Sequence, residues 1–541
     1  MTIGEKITFF RTKNGYSQED LANMLDVSRQ SISKYETNQA QPHLEKIIEL
    51  CRILGTSADT LLNDDISVEE APKKKKLGSG NNKYFGTDGF RGEVGRDLTA
   101  WHAFQIGRFL GWYFSSPLSG NHAPGYRSRI VIGKDTRRSS YTLEYALSAG
   151  ITASGGDAYI LHVITTPGVA YITRMDEFDC GVMITASHNP FYDNGIKILN
   201  RHGEKFDDDD VSMVEAYIDG ELDKLGIDGE DLPFATRDKI GRVIDYVAGR
   251  NRYVGYLISI AAHSYSEKRI GLDCANGSSW MIAKSVFEAL GANVYIVGNE
   301  PEGMNINRDC GSTHIENLQK LVKEKRLDFG FAFDGDADRC LAVDENGEVV
   351  DGDKILYVLA KRLKSRNMLD KNTVVLTIMS NSGLMKTFKK EGIDYVTTTV
   401  GDRFVYECMQ ENDYRLGGEQ SGHIILKKYA TTGDGILTAI MLAEEICDTK
   451  LSLGTLTKNV KLYPQKTVNL RVRDKSEVMT NTEILRVYDE INAEIDGRIL
   501  LRESGTEPVI RIMCECDDID KRDAFIERLA DKIRLEVPTN D

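Results

Sequence analysis

From Tyr84 onward, short apolar runs rich in β-branched residues alternate with helical patterns. Arg129–Ile132 is followed by Leu143–Ala153, and Val374–Ile378 by Leu384–Glu391. Strands separated by helices predict α/β units with mostly parallel sheets. No period of 20–50 residues repeats, which excludes a solenoid. The 541 residues suffice for three to five domains. With 41% hydrophobic and 28% charged residues the chain can bury several cores, which excludes a disordered or fibrous protein. Nine cysteines lie scattered without a CxxC pair, the start MTIGEKITFF has no signal pattern, and no run approaches the length of a membrane span. A reduced, cytoplasmic protein without a membrane partner is expected.

Charge divides the chain. Overall, 68 Lys and Arg face 83 Asp and Glu, a formal −15 at pH 7. Residues 1–62 carry seven basic and eight acidic residues, a net of −1, and residues 63–83 carry five and four, a net of +1. The whole excess therefore lies from Tyr84 onward, which argues against a chain that coats nucleic acid throughout. Residues 63–83, NDDISVEEAPKKKKLGSGNNK, cannot bury a core. They predict a flexible linker spanning about 25 Å on average. Lys73–Lys76 also fits a basic tract for a phosphate backbone, but a solvated linker is the simpler reading.

Before the linker, Ser17-Gln-Glu-Asp20 has the pattern of a capping box, and Leu21, Ala22 and Leu25 follow at helical spacing. A turn through Asp26-Val27 leads to a second cap at Ser28. The helix to Glu36 keeps Ile32 and Tyr35 for packing and exposes Arg29, Gln30, Ser33 and Lys34. Two short helices with a tight turn, the second one polar, predict a helix-turn-helix. SQEDLANMLDVSRQSISKYETNQAQP resembles the DNA-binding domain of the Cro/C1 repressor family. That resemblance implies that Gln18, Gln30, Ser31 and Lys34 face a DNA duplex, Gln toward adenine edges and Lys toward guanine or phosphate. Asp26 stands where the family often has Gly, and Asp tolerates the left-handed turn. A net charge near −1 gives one copy little counterion-release drive, so weak DNA binding and a role in association both stay open. A homodimer would hold two such readers together.

Four polar clusters punctuate the region after Tyr84. Thr185-Ala-Ser-His-Asn-Pro190 follows the apolar strand Gly181–Ile184 and presents Ser187 at the strand's end, where open α/β sheets place ligands. GxSxG is absent and no Asp/His relay is evident, which speaks against an acyl nucleophile. Alone, this serine reads as readily as a structural one. Asp334-Gly-Asp-Ala-Asp-Arg339 follows DFGFAF at Asp328–Phe333. Carboxylates at i, i+2 and i+4, spaced by Gly335 and Ala337, let a loop fold around one cation, and hard oxygen ligands suit Mg²⁺. Gly417-Gly-Glu-Gln-Ser-Gly-His423 lets backbone approach a ligand while Glu419 and Ser421 bond hydroxyls. Arg502-Glu-Ser-Gly-Thr-Glu-Pro508 supplies an arginine, two hydroxyls and a glycine amide for a phosphate dianion. Either of the last two also fits a plain polar turn. Together the four suit phosphoryl transfer on a phosphosugar.

TASHNP, DGDADR, GEQSGH and RESGTEP stand in the order, and at roughly the spacing, of the α-D-phosphohexomutase superfamily, which the chain resembles from Tyr84 to Val537. Within it, YFGTDGFRG (Tyr84–Gly92), DCANG (Asp273–Gly277), NINRDCGSTHIE (Asn305–Glu316), VGDR (Val400–Arg403) and Gln420 resemble the bacterial phosphoglucosamine mutases. The resemblance implies a multidomain chain: an all-α helix-turn-helix module at 1–62, three α/β domains at 84–247, 248–351 and 352–459, and a closing α+β domain at 460–541. It implies a phosphoserine at Ser187, with Asp334, Asp336 and Asp338 binding Mg²⁺ together with that phosphate. Arg339 and Arg91 would lie near the transferring group, His188 would border it, and Lys197 would be the general base for the sugar hydroxyl. Glu419 and Ser421 would read hydroxyls, while Arg502, Ser504, Gly505 and Thr506 hold the second phosphate, with Arg511 assisting. The implied reaction interconverts glucosamine 6-phosphate and glucosamine 1-phosphate through a 1,6-bisphosphate, with a hexose 1,6-bisphosphate as activator. Two alternatives remain. One is a phosphomannomutase or phosphoglucomutase, because aldose preference rests on contacts near Glu419–His423 and Cys310–His314. The other is a transcription regulator that senses sugar phosphates, against which the complete set of matched positions weighs.

Overall fold

The apolar runs after Tyr84 become central strands because side chains that are apolar on both faces need cover on both. The computed structural model describes residues 2–13, 16–25, 27–54, 56, 61, 82–86, 88–116, 119, 125–227, 229–503 and 509–537. They fall into two compact units, Met1–Asn81 and Asn82–Asp541.

In the first unit, α1 (Ile3–Lys13), α2 (Gln18–Met24), α3 (Arg29–Glu36) and α4 (Leu44–Leu54) enclose Ile7, Phe10, Leu21, Leu25, Ile32 and Leu50. The expected capping box forms: the Asp20 amide donates to Ser17 Oγ at 3.1 Å and the Ser17 amide to Asp20 Oδ2 at 2.8 Å. Ser28 caps α3 by accepting from the Ser31 amide. Asp26 and Lys73–Lys76 lie outside the described residues.

The second unit holds four sheets. β1 (Phe85–Gly86), β2 (Gly89–Glu93), β3 (Arg129–Lys134), β4 (Asp157–Val163), β5 (Cys180–Ile184), β6 (Asp193–Asn200) and β7 (Val243–Asp245) run in the order β1-β2-β6-β5-β3-β4-β7. β8 (Arg269–Asp273), β9 (Asn293–Val297), β10 (Phe329–Phe333), β11 (Cys340–Val343) and β12 (Val349–Val350) run β12-β11-β10-β8-β9. β13 (Thr373–Thr377), β14 (Asp394–Thr398), β15 (Leu416–Gly418) and β16 (Ile424–Leu426) run β14-β13-β15-β16. The fourth sheet is antiparallel, β17 (Gln465–Arg471) and β18 (Gly497–Glu503) flanking β19 (Val509–Cys516).

The expectation of mostly parallel sheets holds for their centres, where β3 pairs β5, β8 pairs β10 and β13 pairs β15 in parallel. It fails at the next strand of each: β5-β6, β10-β11 and β15-β16 are antiparallel. The connections 185–192, 334–339 and 419–423 are far shorter than the roughly dozen residues a parallel crossover needs, so each chain must fold straight back. Each of these three connections is one of the polar clusters.

One continuous core, from Val131 and Leu161 through Phe331 and Leu356 to Leu376 and Ile440, runs beneath the first three sheets. The fourth has a core of its own around Ile499, Ile510, Ile512 and Ile533. Among the described residues no helix is long and apolar enough to cross a membrane.

Candidate active site

Where β5 ends, the chain turns at Ser187 with φ +51°, a region that residues with a Cβ rarely adopt. The turn is held from several directions. Fully buried Arg137 donates to the carbonyls of Ser187 (3.1 Å) and Asn189 (2.6 Å), and Asn307 Nδ2 donates to the same two at 2.8 and 3.1 Å. The Ser187 amide donates to Thr185 Oγ1 at 2.9 Å, and that hydroxyl donates to Asp135 Oδ2 at 2.7 Å. Such over-determination is what lets an unfavourable φ persist. The Ser187 hydroxyl, in turn, donates to Asp334 Oδ2 at 2.5 Å.

Asp334, Asp336 and Asp338 are all buried, and each offers an oxygen within 4.8 Å of the others'. Lys197 Nζ lies 2.7 Å from Asp336 Oδ2 and 3.4 Å from Asp338 Oδ2, and Thr166 Oγ1 donates to Asp336 Oδ2 at 2.5 Å. Burial, with Asp338 and Asp336 beside it, raises the Asp334 carboxyl well above the usual range. Burial would also raise Asp336, but Lys197 outweighs it and holds that carboxyl well below. Burial likewise opposes charge on Lys197, and the two aspartates overcome it and keep the ammonium. Asp336 Oδ1 and Asp338 Oδ1 are buried without a hydrogen-bond partner among the described residues. Buried carboxylate oxygens left over in this way, on three acids around one point, fit a hard divalent cation.

Beside the triad, Arg339 donates its amide to Asp334 Oδ1 (3.3 Å) and its guanidinium to His188 Nδ1 (3.3 Å). Burial first, then Arg339 and Arg91, push the His188 imidazole down to about 4, so it is neutral near pH 7 and able to accept. Arg91 donates to Asp88 Oδ2 at 3.0 Å. The buried Nε atoms of Arg91 and Arg339 find no acceptor among the described residues, which leaves donors for an anion. A cavity of about 350 Å³ opens beside Lys197 and Asp338, with Lys205, Asp402, Arg403 and Tyr406 also in its wall.

The hairpin between β15 and β16 carries Glu419, whose Oε1 accepts from the Gly401 amide at 3.0 Å, and exposes Ser421 at its tip. Main-chain bonds hold it to two neighbours: the Cys340 amide, directly after the triad loop, donates to the Gly422 carbonyl, and the Gly352 amide, at the start of the helix Gly352–Ser365, to that of Gln420, both at 3.0 Å. His423 is spent on structure, its Nε2 accepting from the Gly433 amide at 2.7 Å. In the fourth sheet Arg502 on β18 stands opposite Arg511 on β19, whose buried Nε finds no hydrogen-bond partner among the described residues. Ser504, Gly505 and Thr506 lie outside the described residues.

The family models "Phosphoglucomutase/phosphomannomutase, alpha/beta/alpha domain" I, II and III match residues 82–224, 251–347 and 351–463, and the C-terminal domain model matches 468–532. The phosphoglucosamine mutase of Lachnospira eligens is 54% identical over 84% of this chain and 98% of its own length. The chain belongs to the phosphoglucosamine mutase family. It is an isomerase of the mutase type. The corresponding mutase of Anoxybacillus flavithermus is 46% identical over 84% of this chain and 98% of its own length. In fold, the chain resembles a phosphoglucomutase/phosphomannomutase family protein from Burkholderia thailandensis (TM-score 0.66, 21% identity, 84% of this chain and 98% of that one). It also resembles the N-acetylphosphoglucosamine mutase of Aspergillus fumigatus in complex with GlcNAc-6P and magnesium (TM-score 0.58, 18% identity, 84% and 96%).

A helix-turn-helix model matches residues 9–61, in addition to the four mutase domains. There Gln30 and Lys34 are exposed on α3, and Ser31 is half-buried with its hydroxyl 2.9 Å from that of Ser28. Gln18 is held inside the module, its Nε2 donating to Glu36 Oε2 at 2.6 Å.

Sequence reasoning gave no role to several residues of this candidate site: Asp135, Arg137, Thr166 and Lys205, and also Asn307 and Asp402, which lie within the NINRDCGSTHIE and VGDR segments. Asp135 and Arg137 carried a usable signal, since Lys134-Asp135-Thr136-Arg137 also ends an apolar strand. The others reach the site only through tertiary contacts.

Proposed function

We propose that the chain interconverts glucosamine 6-phosphate and glucosamine 1-phosphate through a phosphoryl group carried on Ser187. The observation that carries this reading is the Ser187 hydroxyl on Asp334, at the edge of three buried carboxylates with oxygens to spare. In this reading the four domains are 84–247, 248–351, 352–459 and 460–541, and the family-model matches at 82–224, 251–347, 351–463 and 468–532 support that division. Relatives at 46–54% identity that are phosphoglucosamine mutases favour the amino sugar over glucose or mannose.

In this reading Ser187 Oγ carries phosphate, and the P–O bond to it breaks as one forms to the 1-hydroxyl of glucosamine 6-phosphate. The resulting 1,6-bisphosphate turns around and returns its 6-phosphoryl group to Ser187. Asp334, Asp336 and Asp338 would hold Mg²⁺, with an oxygen of that phosphate; a cation bound there neutralises charge on the transferring group. The A. fumigatus relative was solved with magnesium, which is in keeping with that cation. Arg91 and Arg339 turn their unpartnered donors to the phosphoryl oxygens, and His188 orients Arg339. Lys197 moves the proton of the attacking hydroxyl, and must first give up the one that Asp336 and Asp338 hold on it. Glu419 and Ser421 bond the sugar's hydroxyls. Arg502, with Ser504, Gly505 and Thr506 and assisted by Arg511, holds the phosphate that does not react.

The test is turnover of glucosamine, glucose and mannose 6-phosphates by the full chain with Mg²⁺ and a hexose 1,6-bisphosphate activator, beside Ser187→Ala and a chelator. Preference for glucosamine 6-phosphate, lost in Ser187→Ala and with the chelator, is expected. Preference for another sugar would overturn the substrate assignment, and undiminished turnover by Ser187→Ala would overturn the phosphoserine.

DNA contact through α3 is a second reading, favoured by the exposure of Gln30 and Lys34. Fluorescence anisotropy of the full chain with a labelled duplex tests it: weak, salt-sensitive binding supports it, and no binding at low salt removes it.

A further inference from the structure

We infer that Lys205 is a positioning residue that couples the sugar-reading hairpin to the phosphoryl-transfer side of the cleft. Lys205 follows β6, the strand that carries Lys197, and its Nζ lies 2.7 Å from Asp88 and 2.7 Å from Asp402. Asp88 is the residue that Arg91 grips at 3.0 Å. Asp402 opens the helix Asp402–Asn412, and the residue just before it, Gly401, donates its amide to Glu419. An unbroken line of contacts thus runs from Arg91 through Asp88, Lys205 and the Gly401-Asp402 corner to Glu419.

The chemistry makes Lys205 the keystone of that line. It brings two carboxylates, one from the first sheet's region and one from the third's, onto a single ammonium. Without it Asp88 keeps Arg91 on its side and Asp402 keeps His423 on the other, and the repulsion between the two carboxylates loosens the link. Gly401 has φ +129°, a conformation that a residue with a Cβ rarely adopts, so the aim of its amide at Glu419 depends on the anchor next to it. Further out along the same seam, Arg403 pairs with Asp208, Tyr406 donates to Glu204 and Thr431 to the Gly203 carbonyl. Those contacts keep the two regions together when Lys205 is replaced, so its loss relaxes the inner line and leaves the fold.

This assignment rests on the roles proposed above for Arg91 and Glu419. Its test is steady-state kinetics on glucosamine 6-phosphate and glucose 6-phosphate, with Mg²⁺ and a bisphosphate activator. Lys205→Met is expected to lower kcat/KM on glucosamine 6-phosphate by about 10–100-fold, chiefly through KM, as loss of an outer support does. The preference between the two sugars should narrow, because Glu419 loses its aim. Lys205→Arg, which keeps the charge, should restore most of that preference. Asp402→Asn cuts the next link and should reproduce the Lys205→Met pattern, which also covers a Lys205→Met protein that does not fold. A merely structural role predicts a lower kcat on both sugars alike, with KM and preference unchanged. That result, or wild-type constants for Lys205→Met, overturns the inference while leaving an active mutase. A wild type inactive on both sugars overturns the proposed function and this inference with it.

Discussion

Replacing Glu515 by Gln tests whether one buried carboxylate holds the C-terminal domain to its neighbour. Glu515 is fully buried on β19, accepts from the Ser382 amide at 2.9 Å and from the Ser382 hydroxyl, and pairs with Arg498 at 2.9 Å. Arg498 also donates to the Ser380 carbonyl at 2.6 Å. The glutamine keeps the shape and one acceptor, but turns an NH₂ toward a guanidinium that then lacks its counter-charge. Removing one partner of a buried pair costs about 3–5 kcal/mol. The bonds to Ser382 that survive, and the 18% exposure of the Arg498 side chain, place the expected cost at the lower end. About 3 kcal/mol is a factor of roughly 150 in the ratio of docked to undocked domain. The Ser382 amide is itself a donor in the contact, so its hydrogen exchange reads that ratio directly. Exchange at residues 380–384 should accelerate by up to about 150-fold, while β10 and β15 keep their rates and kcat/KM falls. Exchange at Ser382 within about threefold of wild type would refute the reasoning.

Two other buried positions give further outcomes. Burial pushes the Asp353 carboxyl up to about 7, and Asp351 adds to the rise. The folded state therefore holds that proton more tightly than the unfolded one. Its stabilising contribution is full below about pH 4 and is lost as pH rises toward 7. Asp353→Asn should remove that slope, so urea unfolding from pH 5 to 8 or so should show the variant gaining on wild type as pH rises; parallel curves would refute it. Gly335→Ala would set a Cβ 2.4 Å from the Ser187 carbonyl and 2.9 Å from Ile306 Cδ1. Overpacking of that kind costs about 1–3 kcal/mol and here displaces the serine turn, so kcat should fall with little change in melting temperature beyond a few degrees; a wild-type kcat would count against it.

Sequence carried the site as far as local pattern reaches. DFGFAF is apolar on both faces, so it could only be a covered strand, and the three aspartates behind it had to emerge at its end. The same logic located Ser187, which follows the apolar strand Gly181–Ile184, whereas Glu419 stood out by the glycines around it. What the pattern did not show is how those loops return. The antiparallel partners β6, β11 and β16 are dictated by connection length rather than by hydrophobic period. Nor does any local signal mark Lys205, which looks like one more charged residue before Asp207–Asp210 until the fold brings Asp88 and Asp402 to it. The pairing of Arg498 with Glu515 was hidden for a similar reason: it depends on the register of β18 on β19.

Main-chain bonds tie the triad loop, the hairpin between β15 and β16 and the starts of the helices Gly352–Ser365 and Gly435–Thr449 to one another, and they limit how such a chain can change. The Cys340–Gly422, Gly352–Gln420 and Gly435–Ala337 contacts owe nothing to side chains, so no truncation severs them. One added methyl does. A Cβ on Gly352 would come within 2.1 Å of the Glu419 carbonyl oxygen, and one on Gly435 within 2.4 Å of that of Arg339. Tolerance at these seams is therefore one-sided: a lineage is free to revise what lines the cleft, but not to thicken the joints that hold its walls together.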